Sequence, residues 1–205
     1  MKKNKSSKNW IIQQHRDQYF KEAKSSGFRS RSAYKLLELN KKFKLFNKCK
    51  TVIDLGSYPG GWSQILKKNL KNSKILSIDI KKMEKIEGVD FLCCDFLNED
   101  SKRKILKKLK NKADLLVSDM AADTTGNKDL DCIRTNALCS EVIEFSKIVL
   151  KESGAVVAKL FNGKDFLEVK RLAENKFRKV NFFKPDSSRD SSKETYIHCV
   201  GIKTL

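Results

Sequence analysis

The chain has 205 residues, 40% of them hydrophobic, enough to bury one α/β core with a short extension and no disulfide or metal staple. Its net charge of +19 points to a polyanionic partner, because each neutralised phosphate releases counterions. The lack of a long apolar run excludes a transmembrane helix, and Trp10–Ile12 is too short for a signal-peptide core, so no membrane partner and a cytoplasmic location are expected.

The charge is concentrated, which codon bias alone would not produce. Residues 1–32 hold nine Lys/Arg against Asp17 and Glu22. We read 1–26 as a basic extension, with a polar tail over 1–8 and a short basic amphipathic helix over 9–24, ahead of a domain spanning 27–205. A second helix starts at Ser30, with Ser30 or Ser32 as N-cap and Tyr34, Leu36, Leu37 and Leu39 on its apolar side. Apolar runs at 51–55, 74–79, 89–94, 114–118 and 155–160 then read as strands. Between them lie helical patterns near 61–70, 98–110, 129–151 and 163–175, with Gly154 as the glycine past a helix end. Residues 102–112 hold seven basic residues and no acid; Ile105, Leu106 and Leu109 form the buried stripe there and the lysines a solvated face. The alternation of strand and helix gives a mostly parallel sheet covered on both faces. The last two strands, 177–184 and 194–203, have no helix between them and form a terminal antiparallel hairpin across the polar loop PDSSRDSS.

Six cysteines form no C-x-x-C pair and only two histidines accompany them, so no metal site is expected. Cys93 and Cys94 are adjacent on a strand and point to opposite faces; all six read as small buried hydrophobes in a reducing compartment.

The stretch VIDLGSYPGGWSQIL, residues 52–66, follows the first strand of the series. Gly56, Gly60 and Gly61 permit close approach of a ligand. The G-x-G-x-x-G spacing of a dinucleotide site is missing, and Pro59 removes an N–H that a pyrophosphate would use, so a nucleoside without a phosphate linker fits better. Asp79 ends the second strand, where an acid grips ribose hydroxyls, and Asp95 follows the third, where a carboxylate accepts from an adenine amino group.

These residues carry a resemblance. DLGSYPGGWSQ, SIDI, GVDFLCCDF, LLVSDMA, VVAKLF and KPDSSRDSSKETYI occur in the order of the FtsJ/RrmJ family of ribose 2′-O-methyltransferases, and RSRSAYKLLEL is similar to that family's N-terminal element. The resemblance covers residues 27–203 and implies a Rossmann-like methyltransferase fold with S-adenosyl-L-methionine as donor. It places the cofactor against Gly56, Gly60, Trp62, Asp79, Asp95 and Asp119. The pattern is that of bacterial members that methylate a uridine ribose of 23S ribosomal RNA, which makes ribosomal RNA in the large subunit the expected partner and excludes DNA. Two departures stand out: Ser57–Tyr58 replaces a small pair beside the cofactor, and Ala122–Asp123 replaces Pro-Asn in SDMAPN, which bears on loop rigidity.

The resemblance also assigns a catalytic set, Lys35, Asp119, Lys159 and Glu194, with Lys159 as proton acceptor. The residues agree locally: Asp119 and Lys159 stand at the ends of apolar strands, on the edge that bears the glycine turn. A lysine between AVVA and LF is unlike the others, although taken alone it reads as a strand-end lysine snorkelling to water. Partial burial and the second ammonium of Lys35 are expected to lower its pKa, while Asp119 and Glu194 pull the other way. For RNA, Arg16, Lys21, Lys24, Arg29 and Arg31 interleave with Trp10, Tyr19, Phe20 and Phe28, of which Tyr19 and Phe20 are expected to pack inward. Arg189 and Lys193 are expected to meet phosphates, and Tyr196 to lie in the core. The competing readings are a non-catalytic RNA-binding assembly factor, which needs no such set of four, and a nicotinamide oxidoreductase, which the missing glycine fingerprint opposes.

Overall fold

The computed structural model describes residues 17–203. The expected tail over 1–8, Trp10, Arg16 and the first half of the helix expected over 9–24 lie outside these residues. The rest of that helix is α1, Gln18–Ser25, capped by Asp17, whose side chain accepts from the Phe20 N–H. Helix α2 spans Ser32–Phe43. Neither serine caps it: Arg31 occupies the cap position without a side-chain bond, and the Ser30 and Ser32 hydroxyls pair with each other at 2.7 Å.

Seven strands form one sheet: β1 Thr51–Leu55, β2 Lys74–Asp79, β3 Asp90–Cys93, β4 Ala113–Ser118, β5 Leu150–Phe161, β6 Phe177–Phe183 and β7 Glu194–Ile202. Helices α3 (Gly61–Asn69), α4 (Glu99–Leu109), α5 (Lys128–Val149) and α6 (Phe166–Lys176) connect them. The order is β3-β2-β1-β4-β5-β7-β6. The first five strands are parallel; β7 is antiparallel to both β5 and β6 and lies between them. The expected Rossmann-like architecture and terminal hairpin are therefore present. The direction of winding reverses between β1 and β4, where Leu55 pairs with Ser118. A crevice opens outside the strand ends at such a reversal, and the next residues along the two strands are Gly56 and Asp119.

Alternation along the strands divides the core. Ile53, Leu55 and Leu116 face α4, α5 and α6, while Val52, Leu115, Val117 and Val157 face α2 and α3. Full burial of each such side chain contributes about 1.5–3 kcal/mol. Asp114 ties the opposite edge: its carboxylate accepts from the Lys50 and Thr51 N–H groups, both at 2.9 Å, and pairs with Lys151 at 2.6 Å.

Three local expectations are corrected. Gly154 does not end a helix with positive φ. Helix α5 stops at Val149, and Gly154 sits inside β5, where a Cβ would come within 2.9 Å of the Lys151 carbonyl oxygen; close approach demands the glycine. Leu106 is exposed, leaving Ile105 and Leu109 as the buried stripe of α4. Cys93 is exposed, whereas Cys132, Cys139 and Cys199 are buried as expected. Among the described residues no helix is long and apolar enough to cross a membrane.

Beneath the glycine turn lies a buried polar knot. Asp54 in β1 accepts from Ser63 of α3 at 2.6 Å, and Ser63 meets Ser77 of β2 at 2.8 Å. The other Asp54 oxygen has no partner. Burial pushes its carboxyl up to about 7 against the hydrogen bond from Ser63. The folded protein thus holds a proton that the unfolded chain releases near pH 4, so this stability is present in acid and lost as pH rises to about 7. Asp54→Asn lacks this slope, so the difference between wild-type and variant unfolding free energies should change with pH by roughly 1.4 kcal/mol per pH unit at most. Urea titrations across that range check it; parallel curves would show that Asp54 does not titrate there.

Candidate active site

A cavity of about 720 Å³ opens at the C-terminal ends of β1, β2 and β4. Gly56 forms its floor with φ 74°, and a Cβ there would meet Met120 Cγ at 2.2 Å, so only glycine fits. Asp79, Asp95 and Asp119 supply acids to the lining, and Ile80, Phe96, Leu97 and Met120 supply apolar walls. The Asp79 carboxylate is held in place by the Tyr58 and Lys81 N–H groups, each at 2.8 Å. Asp95 accepts from the Leu97 N–H at 2.9 Å. Tyr58 is half exposed on the rim, with the Lys81 ammonium 5.7 Å from its ring centre.

Two of the residues expected at the cofactor, Gly60 and Trp62, are not among those lining the cavity. Gly60, at φ 110°, turns toward Arg29 and Met83, within 2.9 Å of where a Cβ would stand. The Trp62 indole is buried among α2 and α3 and donates to the Ser32 carbonyl at 2.7 Å. Both shape the wall behind the turn, outside the cavity lining. Arg29 is likewise occupied: its guanidinium donates to the carbonyls of Pro59, Glu84 and Lys85, which removes it from the expected RNA-facing cations.

The four residues expected to act together do meet. Lys35 of α2 pairs with Glu194 at 2.8 Å, Glu194 reaches Lys159 at 3.5 Å, and Lys159 pairs with Asp119 at 2.7 Å. Lys159 also donates to the Asp119 carbonyl at 2.8 Å. The register of β5 with β7 explains the assembly. Lys159 lies opposite Tyr196 and Phe161 opposite Glu194, so Glu194 and Tyr196, two apart on β7, share the face of Lys159. Tyr196 is in the core as expected, packed against Trp62, but its hydroxyl also donates to Asp119 at 2.5 Å. Sequence alternation identified the packing and missed the hydroxyl.

The electrostatics reverse one expectation. Burial draws the Lys159 pKa down, but Asp119 and Glu194 outweigh it and hold the ammonium above the ordinary lysine value. Burial likewise pushes the Asp119 carboxyl up, and Lys159 and Lys35 overcome it, so Asp119 stays below the usual carboxylate range. Burial, Asp119 and Glu194 keep Tyr196 protonated.

The loops around the cluster are pinned. Glu38 accepts from the Asp186 and Ser187 N–H groups at 2.6 and 3.1 Å, and Ser188 donates to Glu194 at 2.8 Å. After β4 the departure Ala122–Asp123 is held by α5: Thr135 accepts from the Ala122 N–H at 3.3 Å and Arg134 donates to the Asp123 carbonyl at 3.0 Å. These bonds constrain the segment without a proline.

The family model described as FtsJ-like methyltransferase matches residues 28–202. The chain belongs to the FtsJ-like methyltransferase family. It is similar to proteins named ribosomal RNA large subunit methyltransferase E. That of Pelagibacter ubique is 47% identical over 199 residues, 97% of this chain and 98% of the relative. That of Rickettsia akari is 45% identical over 208 residues, 98% of this chain and 92% of the relative. Among solved structures, a ribosomal RNA methyltransferase from Plasmodium falciparum has a TM-score of 0.77 at 29% identity, over 85% of this chain and 98% of that one. Human methyltransferase-like protein 13, solved in complex with SAH, shares the fold alone: TM-score 0.58 at 14% identity, over 82% of this chain and 78% of that one.

For this FtsJ-like chain the charge row predicts a measurable coupling. Glu194→Gln removes one of the two carboxylates that raise Lys159, so the Lys159 pKa should fall relative to wild type, as read from the pH titration of its Nζ resonance. An unchanged titration would mean that Asp119 alone sets the ammonium.

Proposed function

We propose that this chain methylates a ribose 2′-hydroxyl of RNA with S-adenosyl-L-methionine, on a uridine of 23S ribosomal RNA in the large ribosomal subunit, in the cytoplasm. The observation that carries the reading is the buried Lys159 between Glu194 and Asp119, the latter lining a nucleoside-sized cavity. Ribosomal RNA as substrate class is supported by the names of the relatives and by the net charge of +19.

The donor set of the cavity suits the cofactor. Its volume of about 720 Å³ is in the range of small-molecule sites. Asp79, already oriented by two N–H groups, has lone pairs left for ribose hydroxyls, Asp95 for an adenine amino group, and Ile80, Phe96 and Leu97 have apolar surface for the base. Gly56 lets the ligand approach the backbone, while Gly60 and Trp62 act from behind as wall. When bound, S-adenosylmethionine supplies an electrophilic methyl group whose sulfur departs as a neutral thioether.

In this reading Lys159, as the neutral amine, takes the ribose hydroxyl proton. The ammonium formed is the species that Asp119 and Glu194 stabilise. The raised pKa lowers the neutral fraction at neutral pH and strengthens the pull on the proton. Asp119 and Glu194 orient Lys159, Tyr196 orients Asp119, and Lys35 orients Glu194.

Incubation of the protein with labelled methyl donor and large ribosomal subunits from a strain lacking this enzyme, followed by mapping of the modified ribose, tests the proposal. Binding without methyl incorporation would favour an assembly factor instead.

Three outcomes are expected. Lys159→Arg, permanently charged, should lose roughly 10²–10⁴-fold in single-turnover rate while S-adenosylhomocysteine still binds. The wild-type rate should keep rising with pH beyond about pH 9, since the neutral form gains population only as the lysine approaches its raised pKa; a plateau near neutrality would assign the proton to another group. Asp79→Ala should weaken S-adenosylhomocysteine binding by about 1–3 kcal/mol in calorimetry.

A further inference from the structure

Three charged residues outside the catalytic row share one point. The Asp17 carboxylate caps α1 with one oxygen, which accepts from the Phe20 N–H at 3.2 Å. Its other oxygen lies in contact with the Arg31 guanidinium and 3.6 Å from Arg189 Nε. Arg31 is held rigidly: it also donates to the Ser187 carbonyl, and its guanidinium is 5.8 Å from the Tyr19 ring centre. Arg189 is open to solvent, with 43% of its side chain exposed, whereas Asp17 is 9% exposed. The site adjoins the catalytic row through consecutive residues, since Ser187 accepts from Arg31 and Ser188 donates to Glu194.

Two guanidinia this close repel. Burial draws the Arg31 pKa down, and the like charge of Arg189 draws it further, against Glu194. Such a pair needs an anion between its forks, and Asp17 is the one present. A carboxylate of charge −1 leaves the pair with one positive charge to spare. A phosphodiester carries the same charge, and its two free oxygens match two guanidinium forks better than a single carboxylate oxygen does. Exchange of one for the other therefore leaves the buried charge balance unchanged.

We propose that Arg31 and Arg189 form a binding site for one phosphodiester of the RNA strand, and that Asp17 occupies it in the free protein as an internal stand-in. The proposal rests on the RNA methyltransferase reading above. It assigns Arg189 a phosphate beside the target ribose and makes Asp17 a competitor that RNA displaces. Lys193 has no part in the site; its nearest acid is Asp129, at 3.8 Å.

The test is binding of the full chain to large ribosomal subunits from a strain lacking the enzyme, measured across salt concentrations. Arg189→Ala should reduce the slope of log affinity against log salt by about 0.7–0.9, the loss of one phosphate contact. Asp17→Asn keeps the α1 cap, because asparagine caps well, and removes the competing charge. It should tighten binding severalfold at fixed salt. Glu152→Gln, which makes the same charge change on an exposed residue at the far end of β5, should leave affinity unchanged. S-adenosylhomocysteine binding should match wild type in all three variants, which shows that they fold. A wild-type slope in Arg189→Ala, or an Asp17→Asn affinity no higher than that of Glu152→Gln, overturns the site while the RNA reading stands. A wild-type chain that binds S-adenosylhomocysteine but not the subunits overturns both.

Discussion

Two ammonium groups and two carboxylates can share a buried space only if they alternate, and the architecture meets that condition with Lys35, Glu194, Lys159 and Asp119. An unpaired buried charge costs several kcal/mol, so each member is tolerated because its neighbours are opposite in sign. The four come from α2, the start of β7, β5 and the end of β4. A sheet of parallel strands alone would not place them together. The antiparallel entry of β7 between β5 and β6 lays Glu194 and Tyr196 across from Phe161 and Lys159.

Asp119 belongs to two environments at once. It lines the cavity with Asp79 and Asp95, and it ends the charge row. On a chain of net charge +19, this concentration of acids at the strand ends is local and opposite in sign to the whole. A positively charged ligand is thereby favoured in the cavity while a polyanion is favoured outside it. The polar knot of Asp54, Ser63 and Ser77 holds β1, α3 and β2 together under the turn that divides the two.

Much of this was legible in the sequence. Continuous apolar runs mark strands buried on both faces, and every strand but β5 was read to within one residue at each end; β5, read as 155–160, begins five residues earlier at Leu150, in a polar stretch that carries no apolar run. Lys159, directly after four apolar residues, and Asp119, after Leu115–Val117 and a serine, stand out because a charged residue closing an apolar run must sit at a strand end or be paired. Lys35 and Glu194 carry no such local mark and were reached only through the family pattern. The sign of the Lys159 shift was missed because it depends on distances to two carboxylates distant in sequence, whereas burial is readable from neighbours. Gly60 and Trp62 have motif spacing, but spacing does not say how the backbone at Gly60 turns or which wall the Trp62 indole joins. Arg29 looked like any surface cation; three backbone carbonyls decide otherwise.

Helix α2 carries Lys35 and, one turn on, Glu38, which grips the backbone of the segment leading to Glu194. One rigid rod therefore supports both partners of the Lys35–Glu194 pair. A slide or tilt of α2 against the sheet moves the two in the same sense and leaves their spacing nearly constant, as a common-mode displacement cancels in a differential measurement. The strain of such a movement falls instead on the link from Glu194 to Lys159, already the longest in the row at 3.5 Å. Thermal motion of α2 is thus converted into modulation of a single contact, one of the two that hold the proton on Lys159.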